Sequence, residues 1–425
     1  MVNLCVSVPS VLLKFLMAYR DVFSAPLFKT FAFYVAALMY ERKRTNIQTV
    51  WADVPVCSYD QFHYMLSRAK WDHEDVNRLR VQKLQSDHRT RSSPRGFLVI
   101  DDTANPKSKT CKATEAVAVQ HCGVTGDERL CHSVVFSAYC DESKHWPVSF
   151  KPYRPASTLP LGQDDPDFKS KLTLAGDLID EALALGIQFS DVLFDNWYFT
   201  PQVIRHAEAR NLAWISEAAA DTILFYKGKR LRADALVERV PPHDFKEAAT
   251  LTDPSGKERR LQIAVLDLRV RMLKTKCRVV IAKGPYLTDD PDEWHVYVTN
   301  HRVLSGPEIV CRWGLRWGIE EVFRELKDTL GFDQYQVRSL RAACRHWELA
   351  CVAHGFLVYA KQLGVFHKET PDVIDTLGDV AFIFRSLAML DSRPWIAEHR
   401  DEYRAHVAKV YAARNPRKPR AKRAA

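Results

Sequence analysis

The chain of 425 residues lacks the marks of several large protein classes. Its longest apolar run, FAFYVAALMY at 31–40, is about half of the roughly 20 residues that a membrane-spanning helix needs. The N-terminus has no basic region followed by a small-residue cleavage site, so we expect no secretory signal. A glycine-rich phosphate loop and a G-x-S-x-G elbow are also missing, which leaves a metabolic α/β enzyme of those types without support.

The ten cysteines are scattered and include no C-x-x-C pair. This usage predicts reduced thiols and a cytosolic protein. The segment HCGVTGDERLCH at 121–132 has a His-Cys and a Cys-His pair around a turn, as a zinc site would. Neighbouring residues of a strand point to opposite faces, so each pair can offer a shared metal only one ligand. We therefore interpret the segment as a β-hairpin, with zinc as the alternative.

Basic residues outnumber acidic ones by 61 to 52, which gives a net charge of +9. Such a balance favours polyanionic partners without indicating a fold. The C-terminal segment 414–425 is especially basic, with six Lys and Arg in RNPRKPRAKR. We expect it to be disordered, either as a solvated tail or as a phosphate-binding arm.

Apolar periodicity predicts helices throughout residues 1–90, and a polar linker follows them. From residue 96 the pattern changes to short apolar strands interrupted by two helices. This order predicts a mixed α/β sheet with helices on its faces. The strands are expected at 96–103, 116–122, 130–140, 146–153, 190–196 and 212–218, and the helices at 168–186 and 201–210.

Alternating apolar residues predict a β-rich insertion at 219–300 without a helix. Helical periodicity returns at 305–331, where Pro307 suits a first helical turn, and again at 340–363. The predicted organisation is a helical domain (1–90), a core in two parts (96–218 and 301–365) that encloses the insertion, a helical region (366–413) and the tail.

Three carboxylates stand out by position. Asp101 and Asp102 end one predicted buried strand, and Asp195 ends another. In α/β folds, ligands bind at the carboxyl ends of such strands. Carboxylates there suit Mg²⁺, which takes oxygen ligands, and two such ions can support phosphoryl transfer. Each aspartate is equally compatible with a simple turn.

The segment RWGLRWGIEEVFRELKDTLG at 312–331 offers a further carboxylate. On a continuous helix Arg316, Glu320 and Lys327 fall within about 40° of one another, at the border of the apolar stripe. Glu321 points about 100° further round the helix, and Glu325 is expected to point to solvent. The stripe alone also fits ordinary i,i+4 ion pairing.

These residues together resemble a known family. Trp313-x2-Arg316-x3-Glu320-x6-Lys327 resembles the Y-x2-R-x3-E-x6-K signature of the large bacterial insertion-sequence DDE transposases, which have an RNase H-like core. VIDDT resembles the strand of the first acid, where the acid before Thr favours Asp102. LFDNWY resembles the strand of the second acid, which gives Asp195.

The resemblance implies a fold, a site and a reaction. The fold would be an RNase H-like mixed sheet flanked by helices, with a β-rich insertion before the last acid and a helical N-terminal DNA-binding domain. Asp102, Asp195 and Glu320 would hold two Mg²⁺ ions, with Mn²⁺ as a substitute. The enzyme would cleave the ends of its mobile element and join them to target DNA. Trp313, which stands where the family has Tyr, would bind DNA with Arg316 and Lys327. Trp294 would hold a flipped base, unless it is a core residue.

The expected partners are double-stranded DNA, both terminal inverted repeats and target, and a second copy of the chain. The expected location is the bacterial cytoplasm, in association with the nucleoid. Two other functions remain open: an RNase H-like nuclease without strand transfer, and an inactive, domesticated DNA-binding protein.

Overall fold

The computed structural model describes residues 4–40, 44–109, 111, 113–123, 126–252, 256–368 and 374–414. The chain forms two compact units. We call Gln85–Arg324 the sheet unit, and Met1–Leu84 with Glu325–Ala425 the helical unit. The predicted core segment 301–365 is thus divided between the two units.

The sheet unit is built on one mixed sheet, to which twelve strands contribute in the described part of the chain. The first six are β1 (Phe97–Pro106), β2 (Ala118–Cys122), β3 (Asp127–Cys140), β4 (His145–Tyr153), β5 (Asp191–Phe194) and β6 (Ala213–Glu217). The others are β7 (Ile223–Tyr226), β8 (Lys229–Arg232), β9 (Phe245–Thr252), β10 (Glu258–Val270), β11 (Lys276–Lys283) and β12 (Trp294–Thr299).

The core of this sheet has the order β4-β3-β1-β5-β6. β3 runs antiparallel to its neighbours β1 and β4, whereas β5 and β6 run parallel to β1. Strand interiors are buried on both faces because helices cover them. The predicted RNase H-like α/β fold is confirmed.

The predicted β-rich block contains β7–β12 and is continuous with the core sheet, because β12 pairs with β6. The expectation of no helix in this block was wrong. A short helix, Ala233–Arg239, follows β8 and buries Ala233, Leu236 and Val237. Seven residues give too short a periodic pattern to stand out against the alternating strands around them.

The helices that flank the core are α6 (Lys171–Ala184), α7 (Pro201–Glu208), α9 (Gly306–Gly314) and α10 (Trp317–Arg324), with the short helix numbered α8. Pro307 lies in the first turn of α9, as predicted. α10 packs closely on β3 at Gly318, where a Cβ atom would lie 2.6 Å from Cys140 Sγ. A larger residue there would push the helix away from the sheet.

The helical unit contains α1 (Ser10–Leu16), α2 (Ala25–Leu38), α3 (Ile47–Asp53), α4 (Tyr59–Ser67), α5 (His73–Gln85), α11 (Leu340–Leu363), α12 (Leu377–Glu398) and α13 (Arg400–Arg414). α11 is buried along most of its length and carries Glu348, which pairs with Arg80 of α5 in a fully buried ion pair of 3.0 Å. No helix of the described residues is long and apolar enough to cross a membrane. Beyond Arg414 the basic tail lies outside the described residues.

The segment weighed as a zinc site forms the β2–β3 hairpin. Cys122 and Cys131 are buried as free thiols, and burial lowers the pKa of His132 to about 4. The Nε2 atom of His132 lies 2.7 Å from the carbonyl oxygen of Glu115. Among the described residues no group of three or more His, Cys, Asp or Glu side chains is arranged to hold a metal. The hairpin interpretation is confirmed.

Candidate active site

β1 does not end on its two aspartates, contrary to expectation. It continues to Pro106 because it pairs with β3 along its whole length. Its parallel pairing with β5, however, ends where Ile100 faces Phe194. Asp101 and Asp195 each follow these residues directly, so both lie at the carboxyl edge of the parallel strands.

The two aspartates of β1 face opposite sides of the sheet because side chains alternate along a strand. Asp101 lies opposite Phe136 in the register, and the ring of Phe136 is 5.4 Å from that of Phe323 on α10. Asp102 instead contacts Lys171 of α6, with an Nζ–Oδ2 distance of 2.6 Å. Asp101 is therefore the aspartate on the α10 side.

The predicted continuous helix at 305–331 is broken. α9 ends at Gly314, α10 begins at Trp317, and Arg316 lies at the junction. After Arg324 the chain continues as a π-helical turn, Glu325–Thr329. The angles of a continuous helix therefore do not apply to the whole signature. They still apply between Arg316 and Glu320, which lie four residues apart and contact each other.

Arg316 joins the first and last candidate acids. Its Nη1 atom lies 3.1 Å from Asp101 Oδ2 and 3.5 Å from Glu320 Oε1. The guanidinium carbon is 5.4 Å from the ring centre of Trp313 and 5.3 Å from that of Trp317. Both distances are typical of cation–π contacts. The two indoles hold the guanidinium where it bridges the carboxylates.

The position of Trp313 argues against the expected contact with DNA. Only 4% of its surface is exposed, and its ring packs 5.5 Å from that of Tyr297. Trp313 therefore supports Arg316. Trp294 begins β12, is half-buried and pairs with Lys283, so its role in holding a flipped base stays a prediction. Lys327 lies in the π-helical turn of the helical unit.

The other two glutamates of the segment, Glu321 and Glu325, differ in their exposure and in their partners. Glu321 is partly exposed and contacts Arg324 on the same helix. Glu325, predicted to point to solvent, is mostly buried and contacts His354 of α11, with an Oε2–Nε2 distance of 2.8 Å. That expectation was wrong because the helical wheel treated one side of a packed helix as solvent.

Asp195 is held by the turn that follows β5. Its Oδ1 atom accepts hydrogen bonds from the backbone N–H groups of Trp197 at 3.1 Å and Tyr198 at 3.3 Å. The Tyr198 hydroxyl donates to Asp102 Oδ1 at 3.0 Å. Tyr198 thus links the acid that follows β5 to the aspartate pair of β1.

Asp102 has a full set of protein partners. Besides Tyr198 and Lys171, the hydroxyl of Ser133 donates to its Oδ2 atom at 3.2 Å. The Lys171 ammonium lies 5.5 Å from the ring centre of Trp197, which is 51% exposed beside Asp195. Sequence reasoning missed these residues. Trp197 and Tyr198 stand in the quoted LFDNWY segment, whereas nothing marks Ser133 or Lys171.

The electrostatics of the edge disfavour its negative charges. Burial, followed by the charge of Asp195, raises the pKa of Asp101 well above its ordinary value, while Arg316 opposes the shift. Burial also raises the pKa of Asp195, against the hydrogen bond from Tyr198. Carboxylates crowded in this way are stabilised in their ionised form by a cation.

The residues at this edge suit a divalent metal by the chemistry of their donor atoms, although the described side chains do not form a closed set of three ligands. Asp101, Asp195 and Glu320 offer only carboxylate oxygens, the ligands that Mg²⁺ and Mn²⁺ take in proteins. Arg316 supplies a compensating positive charge between Asp101 and Glu320.

Replacing Tyr198 with Phe removes one hydroxyl and keeps the ring. We expect about a 10- to 100-fold loss of Mg²⁺ affinity, because this hydroxyl ties the turn that holds Asp195 to β1, and partners that orient metal ligands have effects of this size. Calorimetric titration of each protein with Mg²⁺ gives the measurement. Tyr226→Phe is the matched control, because Tyr226 lies in the insertion on β7. An unchanged Mg²⁺ affinity in Tyr198→Phe would contradict the positioning role.

Comparison with known proteins assigns the class. The sequence profile described as "DDE superfamily endonuclease" matches residues 20–269, more than half of the chain. The chain belongs to the DDE superfamily of endonucleases.

A more specific likeness points the same way. Over 366 residues the chain is 21% identical to a Microchaete diplosiphon protein named a probable transposase for insertion sequence element IS701, covering 83% of this chain and 89% of that one. The predicted resemblance to insertion-sequence DDE transposases is confirmed.

A likeness to a solved structure is weaker. The piggyBac transposase in its synaptic complex with hairpin DNA has 11% sequence identity and a TM-score of 0.46, over 98% of this chain and 79% of that one.

Proposed function

We propose that the chain is a DNA transposase that cleaves the ends of its own mobile element and joins them to target DNA. The observation that carries the proposal is the clustering of three carboxylates, those of Asp101, Asp195 and Glu320, at one edge of the sheet. Arg316 lies between Asp101 and Glu320. The family of endonucleases and the IS701 relative support the same reaction.

We propose Asp101 as the first catalytic acid, in place of the Asp102 that the spacing favours. Asp101 is on the side of α10 and shares Arg316 with Glu320. Asp102 is engaged by Lys171, Ser133 and Tyr198, which suits a residue that positions the strand.

Asp101, Asp195 and Glu320 would hold two Mg²⁺ ions, with Mn²⁺ as a substitute. Bound metal would supply activation of a water or a 3′-hydroxyl and stabilisation of the leaving oxygen. The protein's own contribution is to hold the acids in place and to screen their mutual repulsion. Arg316 would contact a phosphate near the cut end, and Lys327 is kept as a phosphate contact on the strength of the family signature.

The remaining partners follow from the reaction. The helices within 1–90 would recognise the terminal inverted repeats, and a homodimer would handle both ends together. The DNA substrate would bring the protein to the nucleoid.

Two assays test the proposal. The purified chain should nick plasmid DNA that carries the sequences flanking its reading frame, only when Mg²⁺ or Mn²⁺ is present. With precut, paired ends it should then join their 3′-hydroxyls to a second plasmid. Nicking without joining would favour the nuclease alternative. Binding without nicking would favour the inactive DNA-binding protein.

A further inference from the structure

The outer part of the sheet has two chemically different faces. Where β7, β8, β10 and β11 pair with one another, at 223–226, 230–232, 267–270 and 276–278, their side chains alternate between the two faces, and one set is buried. The buried set is apolar: Leu224, Leu231, Leu268, Val270 and Cys277. The opposite set is exposed and basic. We call its members Arg230, Arg232, Arg269, Arg271 and Lys276 the cationic face.

The strand register aligns three of these cations in one row. Arg230 lies opposite Phe225, Phe225 opposite Arg269, and Arg269 opposite Lys276. Residues directly opposite on paired strands have their side chains on the same face. At about 4.8 Å between strands, the row spans roughly 14 Å.

A second, shorter row runs beside the first. Arg232 lies opposite Ile223, and the backbone N–H of Arg271 donates to the carbonyl of Ile223 at 3.0 Å. In the first row, the Arg269 guanidinium carbon is 5.7 Å from the ring centre of Phe225. The apolar side chains between the cations thus support them and keep the charged groups at the surface.

Acidic residues neutralise this surface only in part. Asp234 contacts Arg232, with an oxygen–nitrogen distance of 2.8 Å. Asp267 contacts Arg278 at 3.5 Å and Arg302 at 3.8 Å. Asp234 thus pairs within the second row, and Asp267 pairs with arginines outside the first row. Among the described residues no ion pair engages Arg230, Arg269 or Lys276, so the first row keeps its positive charge.

We propose that the cationic face binds the phosphate backbone of duplex DNA, an inference that rests on the proposed function. A row of exposed cations about 14 Å long spans about four steps of the 3.4 Å axial rise along one DNA strand. Arg and Lys on a sheet face contact phosphates without reading bases, so the binding is independent of sequence. The face adds a DNA-binding surface apart from the catalytic edge.

The test is the salt dependence of binding by the full chain to a fluorescently labelled duplex of mixed sequence. The slope of log K against log salt concentration is negative, and each lost phosphate contact reduces its magnitude by about 0.9. The triple variant Arg230→Gln/Arg269→Gln/Lys276→Gln should therefore reduce the slope by about 3. Its affinity in about 50 mM salt should fall at least 10-fold. Nicking at saturating protein should be retained.

The matched control is Arg95→Gln/Arg239→Gln/Lys246→Gln, which removes three exposed cations elsewhere in the sheet unit. Its slope should equal that of the wild type. The double variant Arg230→Gln/Lys276→Gln keeps the Arg269–Phe225 contact and should lose about 2 units of slope, should the triple variant not fold.

Equal slopes in the cationic-face variants and the wild type would overturn the inference while wild-type nicking still supported the proposed function. Equal losses in the control and the cationic-face variants would also overturn it, because net charge alone would then explain binding. A wild-type chain that neither binds nor nicks DNA would overturn both.

Discussion

Asp101→Asn should lower metal-dependent nicking by on the order of 10³-fold or more, the scale of losing a central electrostatic group. Asp195→Asn and Glu320→Gln should do the same, because each removes a carboxylate from the same edge. Asp102→Asn should lose only about 10- to 100-fold, since Asp102 contacts protein side chains. Initial nicking rates at saturating Mg²⁺ give the measurement.

Comparing the nicking rates of Asp101→Asn and Asp102→Asn decides which of these two aspartates is the first catalytic acid. Asn keeps the size of Asp and removes only its charge, so duplex binding should stay within about 2-fold in all four variants, a change of roughly 0.4 kcal/mol. Glu321→Gln is the matched control on α10 and should cleave at the wild-type rate. Full loss in Asp102→Asn with a mild effect in Asp101→Asn would instead establish the acid that the family spacing favours.

Arg316→Gln should reduce cleavage about 100-fold and shift its pH dependence. Arg316 lowers the pKa of Asp101, so its loss raises that pKa further. Asp101 then ionises only at higher pH, and the acidic limb of the rate–pH profile moves upward. Rates measured across the profile at limiting Mg²⁺, where Asp101 must ionise before it binds metal, test this. The loss matches that of one preorganised charge contact.

Two further variants make the Arg316 experiment specific. Arg316→Lys keeps the charge and should restore the acidic limb while recovering only part of the rate, because an ammonium lacks the planar fork that bridges two carboxylates. Arg324→Gln removes an exposed arginine of the same helix and should behave as wild type. An unshifted limb in Arg316→Gln would show that Arg316 does not control the charge of Asp101.

Most of the sheet could be predicted from the sequence, because its buried strands are short apolar runs bounded by polar turns. β5 and β6 lie within the predicted segments. The end of β1 could not be predicted, since its continuation to Pro106 depends on pairing with β3. The short helix Ala233–Arg239 was missed because it has too few turns to show a period.

At the site, the sequence identified which residue types matter but not which way they point. Neighbouring aspartates on a strand must face opposite sides, yet only the packing of α6 and α10 determines which side holds the site. The burial of Trp313 could not be predicted either, because the sequence of the signature does not distinguish an aromatic residue that contacts DNA from one that packs on Arg316. Contacts between distant segments, such as Lys171 with Asp102, leave no local pattern.

The alternation at the end of β10, from Asp267 to Val270, has an evolutionary consequence. Substitutions that keep a cation at Arg269 leave the surface intact, and conservative changes at Val270 leave the buried side intact. Deleting one residue inside the strand would instead turn the arginine inward and the valine outward, since a shift of one position exchanges the two faces. The insertion should therefore diverge freely by point changes among relatives, while strand lengths between its turns stay constant.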